Sequence, residues 1–278
     1  MKIAAYAKIN LALDVCGRRP DGYHTVRMVM QRISLCDEIA LERANQGITL
    51  TCSDRALPCD WGNLTYRAAA LFLARAGVPG GVTIQLDKHI PSQAGLGGGS
   101  ADAAAVLRGM DALFQTHLPV ETLMEWGLKL GADVPFCIMG GTALAEGIGE
   151  KLTSLPSLPR THLVIIKPDG GVSTPVAYGA IDTQRDVPHA DVDGVIAALH
   201  DPQKLAAGMQ NVFEAVVVQQ MPEIGRCKNR LLELDADGAM MTGTGSAVFG
   251  LFSSRAAAQA AYDALQSAPY RVFLAHTL

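Results

Sequence analysis

Apolar residues alternate with polar ones, or run together, over Ile3 to Ala7, Ala12 to Cys16, Val26 to Ser34, Glu38 to Leu41 and Ile48 to Cys52. Runs of that length and period predict strands separated by polar turns, so the chain opens strand-rich. After Asn63 the period changes. LTYRAAALFLARA reads as a helix with Asn63 as its N-cap and Gly77 as its stop. VTIQLDKHI follows as another strand and leads into a glycine-rich segment. ADAAAVLRGMDALFQ then predicts a second helix, and Glu121 to Lys129, entered after Pro119, a third.

Ser154 to Arg160 carries Pro156 and Pro159 and neither helical nor strand periodicity, which marks a domain crossing. The expected division is therefore residues 1–153 and 154–278. Beyond it come a strand (HLVIIK), helices between Ser173 and Leu234, two strands within GAMMTGTGSAVFGLF, a helix (AAAQAAYDALQ) and a last strand (RVFLAH). That order predicts an α+β second domain on an antiparallel sheet.

Composition narrows the function. The 278 residues exceed the usual single domain of roughly 100–150, and with 49% hydrophobic and 18% charged residues the chain can fill a large core. A formal charge of -4 without a basic stripe argues against nucleic-acid binding, so an anionic ligand must be held locally by helix-start amides and individual lysines. Lys8 and Asn10 interrupt the N-terminal apolar stretch, so no export signal is read, and no run approaches the ~20 residues that span a bilayer. A cytoplasmic protein without a membrane partner is expected. The six cysteines form no C-x-x-C pair and are expected to be reduced and mostly buried. The seven histidines form no H-E-x-x-H cluster, so no zinc site is expected.

The most informative chemistry lies in PSQAGLGGGSADAAA, where four glycines in five positions join a strand to a helix. Glycine permits φ > 0 and close approach to the backbone, while the first amides of the following helix are unpaired and carry the positive end of its dipole. Together these make a phosphate cradle. Pro91, Ser92, Gln93, Ala94, Gly95, Leu96, Gly97, Gly98, Gly99, Ser100 and Ala101 are accordingly the candidate nucleotide loop. Ser100 can cap the helix and offer its hydroxyl to a phosphate or to magnesium. Ser100 stands where a dinucleotide-binding fold needs its third glycine, and no Gly-Lys dipeptide supports a P-loop.

The pattern P-x-x-x-G-L-G-G-G-S-A-D-A-A resembles the second signature of the GHMP kinases, the superfamily of galacto-, homoserine, mevalonate and phosphomevalonate kinases. The resemblance implies a two-domain α+β GHMP kinase fold with ATP and substrate in the cleft between domains, ATP as phosphoryl donor, and Mg2+. Y-A-K-I-N-L-x-L and G-A-D-V-P-F resemble motifs of the diphosphocytidyl-methylerythritol kinases within that superfamily. By that resemblance Asp133 is the base and Lys8 orients or polarises the acceptor hydroxyl. Taken alone, Asp133 reads as a helix cap and Lys8 as a solvated edge charge. Asn10 shares a strand face with Lys8 by period-two spacing and can hydrogen-bond the substrate or hold Asp133.

D-G-Y-H places Tyr23 beside His24, an aromatic face next to a ring with donor and acceptor nitrogens. In the family this segment binds the cytosine of the substrate, and a second aromatic after S-T-P sandwiches the same ring, the position Tyr178 takes in V-S-T-P-V-A-Y. Asn63 and Lys88 match positions that contact the adenosine part of ATP, although Asn63 also has its helix-cap explanation. MMTGTGSAVFG resembles the third superfamily signature. There Gly243 and Gly245 allow close approach to the phosphates and the glycine-rich loop, and Thr242, Thr244 and Ser246 offer hydroxyls, a plain hairpin being the alternative. The implied reaction moves the γ-phosphoryl of ATP to the 2-hydroxyl of a substrate bearing cytidine diphosphate. The alternatives are a homoserine- or mevalonate-type kinase without a base pocket, and a non-catalytic ATP-binding sensor of the same fold.

Overall fold

The computed structural model describes residues 1–184 and 188–278; residues 185–187, inside the stretch read as helical, lie outside the described residues. The elements run β1 (Lys2–Arg18), β2 (His24–Ala44), β3 (Gly47–Cys52), α1 (Leu64–Ala76), β4 (Gly81–Asp87), α2 (Gly98–Phe114), α3 (Val120–Leu128), α4 (Val134–Met139), β5 (Thr142–Gly147), β6 (Lys151–Ser154) and β7 (His162–Lys167). They continue α5 (Thr174–Thr183), α6 (Val192–Ala197), α7 (Pro202–Gly208), β8 (Gln210–Asn211), α8 (Val212–Gln220), α9 (Glu223–Glu233), β9 (Gly238–Met241), β10 (Val248–Phe252), α10 (Arg255–Ala264) and β11 (Arg271–His276).

The chain forms two compact units, the first of Met1–Ala7, Cys36–Ser92 and Gly97–Gly140, the second of Lys8–Leu35, Gln93–Leu96 and Gly141–Leu278. In the first, β3 pairs parallel with β4, and β4 pairs antiparallel with Glu38 to Ala44 of β2. α1 begins where expected, because the Asn63 side chain accepts the Thr65 amide proton, and it ends at Gly77 in the left-handed region. α1 and α4 pack against α2, whose buried Ala101, Ala103, Ala104 and Ala105 keep that helix slim. Gly109 on α2 faces β2, where an added Cβ would lie 2.5 Å from Leu41 Cδ1.

In the second unit, Val26 to Gln31 of β2 pair antiparallel with β5, and β5 with β6. β8 lies parallel to β1 through Ala12 and Leu13. A separate antiparallel sheet has the order β11-β7-β10-β9, as the α+β reading of the C-terminal half predicts. α9 and α10 pack on it and bury Ile224, Cys227, Leu231, Ala258 and Ala261.

Three expectations are corrected. Ile3 to Ala7 and Ala12 to Cys16 are one strand, as are Val26 to Ser34 and Glu38 to Leu41, with no polar turn between them. The polar residues expected to break these strands are buried with partners: Lys8 Nζ donates to Asn10 Oδ1 at 2.8 Å, and the Asp37 carboxylate accepts the Ile90 amide proton at 2.7 Å. A buried polar group that is hydrogen-bonded does not end a strand. The helix of the glycine-rich segment begins at Gly98, so Ser100 is its third residue and not its cap. Gly97 takes the N-cap at φ 70°, a conformation glycine adopts without steric cost, and the chain turns into the helix earlier than a serine cap would allow. All six cysteines are free, but only Cys227 is buried, and Cys16 and Cys59 are exposed. Cys16 and Cys36 lie in the long strands β1 and β2, Cys52 ends β3, Cys59 is in a loop and Cys137 in α4, each at a position that keeps some solvent exposure.

Candidate active site

In the first unit α2 is entered through glycine, with Gly97 as its N-cap. No side chain caps it, Gly99 is exposed, and the 17-residue helix directs the positive end of its dipole there. Lys88 adds a cation at the same turn, its Nζ 3.4 Å from where a Cβ on Gly98 would sit. The Ser100 hydroxyl lies 3.9 Å from the Cβ position of Gly131, so the first turn of α2 adjoins the turn that carries Asp133. Asp133 occupies the N-cap position of α4, half-exposed, yet its side chain makes no capping bond. The helix-cap explanation for its carboxylate therefore fails.

Asn63 keeps its structural role: besides the Thr65 amide it holds the Pro58 carbonyl at 2.8 Å, and it is buried. Lys88 does not project alone toward a ligand. It donates to Asp102 at 2.7 Å and to Asp37, inside a cluster of two carboxylates and one ammonium that sequence reasoning missed. One oxygen of Asp102, Oδ1, is buried without a partner. Burial pushes the Asp102 carboxyl up to about 8, against the pull of Lys88 and with the help of Asp37. Burial also opposes the Lys88 ammonium, but the two carboxylates outweigh it and its pKa is raised.

A carboxyl whose folded pKa exceeds its unfolded one contributes stability that is complete below the unfolded value near 4 and is lost as pH rises through about 8. Asp102→Asn mimics the protonated acid and removes that loss. Between pH 5 and 8.5 the melting temperature of the native chain is expected to fall further than that of Asp102→Asn, by at least about 2–4 °C, the shift of ~1 kcal/mol in a chain of this size. Parallel melting curves across that range would refute the assignment.

In the second unit the first half of the glycine-rich segment is fastened down. The carbonyls of Gln93, Ala94 and Leu96 accept the amide protons of Ser246, Ala247 and Lys8, and that of Gly95 accepts the Thr242 hydroxyl at 3.3 Å. A Cβ on Gly95 would collide with the Thr242 carbonyl oxygen, and one on Gly243 would lie 3.0 Å from Gly95 Cα. Gly245, also at positive φ, packs on Met241. The side chains of Pro91, Ala94, Leu96 and Ala101 are buried, so those residues present only backbone to a ligand, while Ser92 and Gln93 are exposed.

Lys8 is 4% exposed, which overturns its reading as a solvated edge charge. The strand spacing that places it beside Asn10 also orients it, because Asn10 Oδ1 accepts from its ammonium. Asn10 donates to the Met28 sulfur at 3.2 Å, and its backbone amide to Thr242 Oγ1 at 3.1 Å. His24 and Tyr178 come together as a stack with centroids 4.7 Å apart, and Tyr178 meets the edge of Phe213 on its other side. His24 Nε2 pairs with Asp182 at 2.7 Å, a partner the sequence did not point to. Tyr23 is 62% exposed at the turn closed by the Arg19 amide and its own carbonyl. A base between His24 and Tyr178 would part the rings to about 7 Å, twice the ~3.5 Å contact distance.

Residues 63–141 match the GHMP kinases N terminal domain and residues 195–271 match the GHMP kinases C terminal. A 4-diphosphocytidyl-2-C-methyl-D-erythritol kinase from Acetivibrio thermocellus is 44% identical, covering 100% of this chain and 99% of its own. One from Caldicellulosiruptor bescii is 45% identical over 96% of this chain and 93% of its own. A crystal structure of 4-(cytidine 5'-diphospho)-2C-methyl-D-erythritol kinase superposes with a TM-score of 0.86 at 37% identity, covering 100% of this chain and 99% of that one. Mevalonate kinase from Methanococcus jannaschii, at 14% identity and a TM-score of 0.77, shares the fold. With both family domains matched and relatives 44% and 45% identical over nearly the whole chain, the chain belongs to the GHMP kinases and, within them, to the 4-diphosphocytidyl-2-C-methyl-D-erythritol kinases.

Proposed function

We propose that this kinase transfers the γ-phosphoryl group of ATP to the 2-hydroxyl of 4-diphosphocytidyl-2-C-methyl-D-erythritol, a step of non-mevalonate isoprenoid synthesis. The observation that carries the choice of substrate is the His24–Tyr178 stack, an aromatic pair suited to a nucleobase and without use in a homoserine or mevalonate kinase. In this reading the amides of Gly97 to Ser100 hold the triphosphate and Lys88 lies toward the adenosine, with the backbone of Pro91 to Leu96 and Ala101 shaping the loop and Gly243 and Gly245 lying against it. Asn63 borders the adenosine through the helix it caps. Asp133 takes the hydroxyl proton, and Lys8, aligned by Asn10, offsets charge on the moving phosphoryl. His24 and Tyr178 take the cytosine between them, and Tyr23 flanks it.

Mg2+ belongs to the same proposal. Among the described residues no group of three His, Cys, Asp or Glu side chains forms a metal cluster. In this reading the ion enters on the triphosphate, which supplies most of its hard oxygen ligands, and the hydroxyl of Ser100, the third residue of α2, is a protein oxygen at that turn. When bound it neutralises phosphate charge. Residues 1–153 and 154–278 are proposed as the two kinase domains, a division supported by family matches on either side of it. Among the described residues no helix is long and apolar enough to cross a membrane. The cytoplasm, where ATP is supplied, is the proposed location.

A coupled ADP-release assay against the cytidine-bearing alcohol, homoserine and mevalonate tests the function. Turnover is expected with the first alone, with CDP competing against it, and turnover of mevalonate or homoserine at equal efficiency would refute the reading. Tyr178→Ala is expected to raise the KM for the cytidine-bearing substrate by about 5–150-fold, the equivalent of one lost stack, with the ATP KM unchanged. Tyr178→Phe keeps the ring and is expected to behave as native. An unchanged KM in Tyr178→Ala would remove this residue from the base site.

A further inference from the structure

Asn211 opens α8 and Glu214 follows it three residues later, the spacing of a capping box. Asn211 caps the helix, its Oδ1 accepting the Phe213 amide proton at 3.1 Å. Its two amide protons go elsewhere. Nδ2 donates to the carbonyls of Met241 and Gly243, both at 2.8 Å, in a site where Asn211 is 7% exposed. Glu214, instead of reaching back to the N-cap amide, accepts the Met241 amide proton at 2.9 Å while Lys228 holds its other oxygen. One helix start thus fastens the backbone on both sides of Thr242.

Thr242 is the next link. It is fully buried, its amide donates to Ala247, and its hydroxyl joins the Asn10 amide to the Gly95 carbonyl. Gly95 and Leu96 continue directly into Gly97, the first residue of the helix cradle. Moving the 241–243 backbone therefore moves the anchor of the loop and the strand position two residues from Lys8 in one step.

We propose that Asn211 and Glu214 are positioning residues for nucleotide binding: through the Met241 and Gly243 backbone they set the place of Thr242 and so of the first half of the glycine-rich loop. This rests on the reading that the loop holds the triphosphate. It assigns a function-specific duty to a helix-capping asparagine and to a glutamate that bonds outside its own helix.

The test uses the full chain with three variants, Asn211→Ser, Glu214→Ala and Glu214→Gln. Serine still caps α8 but is too short to reach both carbonyls, and glutamine keeps an acceptor for the Met241 amide. Asn211→Ser and Glu214→Ala are expected to raise the ATP KM about tenfold, with kcat within about threefold and the KM of the alcohol substrate within about twofold, as for one or two lost hydrogen bonds. Glu214→Gln is expected to restore the ATP KM. A merely structural cap would lower the active fraction and leave both KM values alone, and that result in a folded variant overturns the inference. If Asn211→Ser does not fold, the Glu214 pair decides by the same criteria. Absence of ATP-dependent turnover in the native chain would instead overturn the underlying assignment of the loop, so the two failures are distinguishable.

Discussion

Asp133→Asn is expected to lower kcat by about 10²–10⁴-fold, the range for loss of a positioned general base, while the melting temperature and the nucleotide affinity stay native. The side chain makes no capping bond on α4, so asparagine removes no helix cap. A carboxamide of the same shape cannot accept the hydroxyl proton. Ser100 near Gly131 puts the first turn of α2 beside the turn that carries Asp133, as the proposed transfer from a phosphate at that helix to an alcohol at Asp133 requires. Single-turnover kinetics at saturating ATP, with nucleotide binding measured separately, gives the check. A folded variant that turns over at the native rate would exclude Asp133 as the base.

The second large effect belongs to Gly95→Ala. Gly95 has φ 73°, where alanine pays roughly 1–2 kcal/mol, and its new methyl would run into the Thr242 carbonyl oxygen. Backbone atoms on both sides must move, because neither is the end of a flexible side chain. The combined cost is expected near 3 kcal/mol, a fall of roughly 6–12 °C in melting temperature, with the ATP KM raised more than about tenfold. Gly99→Ala is the control within the same segment. Its Cβ would meet Leu64 Cδ1 at 3.5 Å, an ordinary contact, so the fold is expected to hold. Equal melting temperatures for the two variants would show that the first half of the loop is not fastened to Thr242.

The two glycines differ although they stand in one run of similar letters. Nothing in the run separates Gly95, locked against a carbonyl, from Gly99, exposed at the helix start. The neighbour that separates them, Thr242, lies 147 residues away. The same distance problem hid Asp37 and Asp102, which meet at Lys88 from positions 51 and 14 residues away. It also hid the burial of Lys8 and the reach of Asn211 to Gly243, 32 residues on.

What depends on near neighbours was readable in the letters: α1 with its Asn63 cap and Gly77 stop, the strand alternation, and a helix start entered through glycine. Caps and periodicities are satisfied within about four residues, so the local chain carries their whole energetics. Whether Lys8 is wet or buried, whether Ser100 caps, and which carbonyls the loop spends on its own protein depended on segments brought together by folding. A polar group taken out of water must find a partner wherever the fold supplies one, and that partner is set by packing, not by adjacency in the chain.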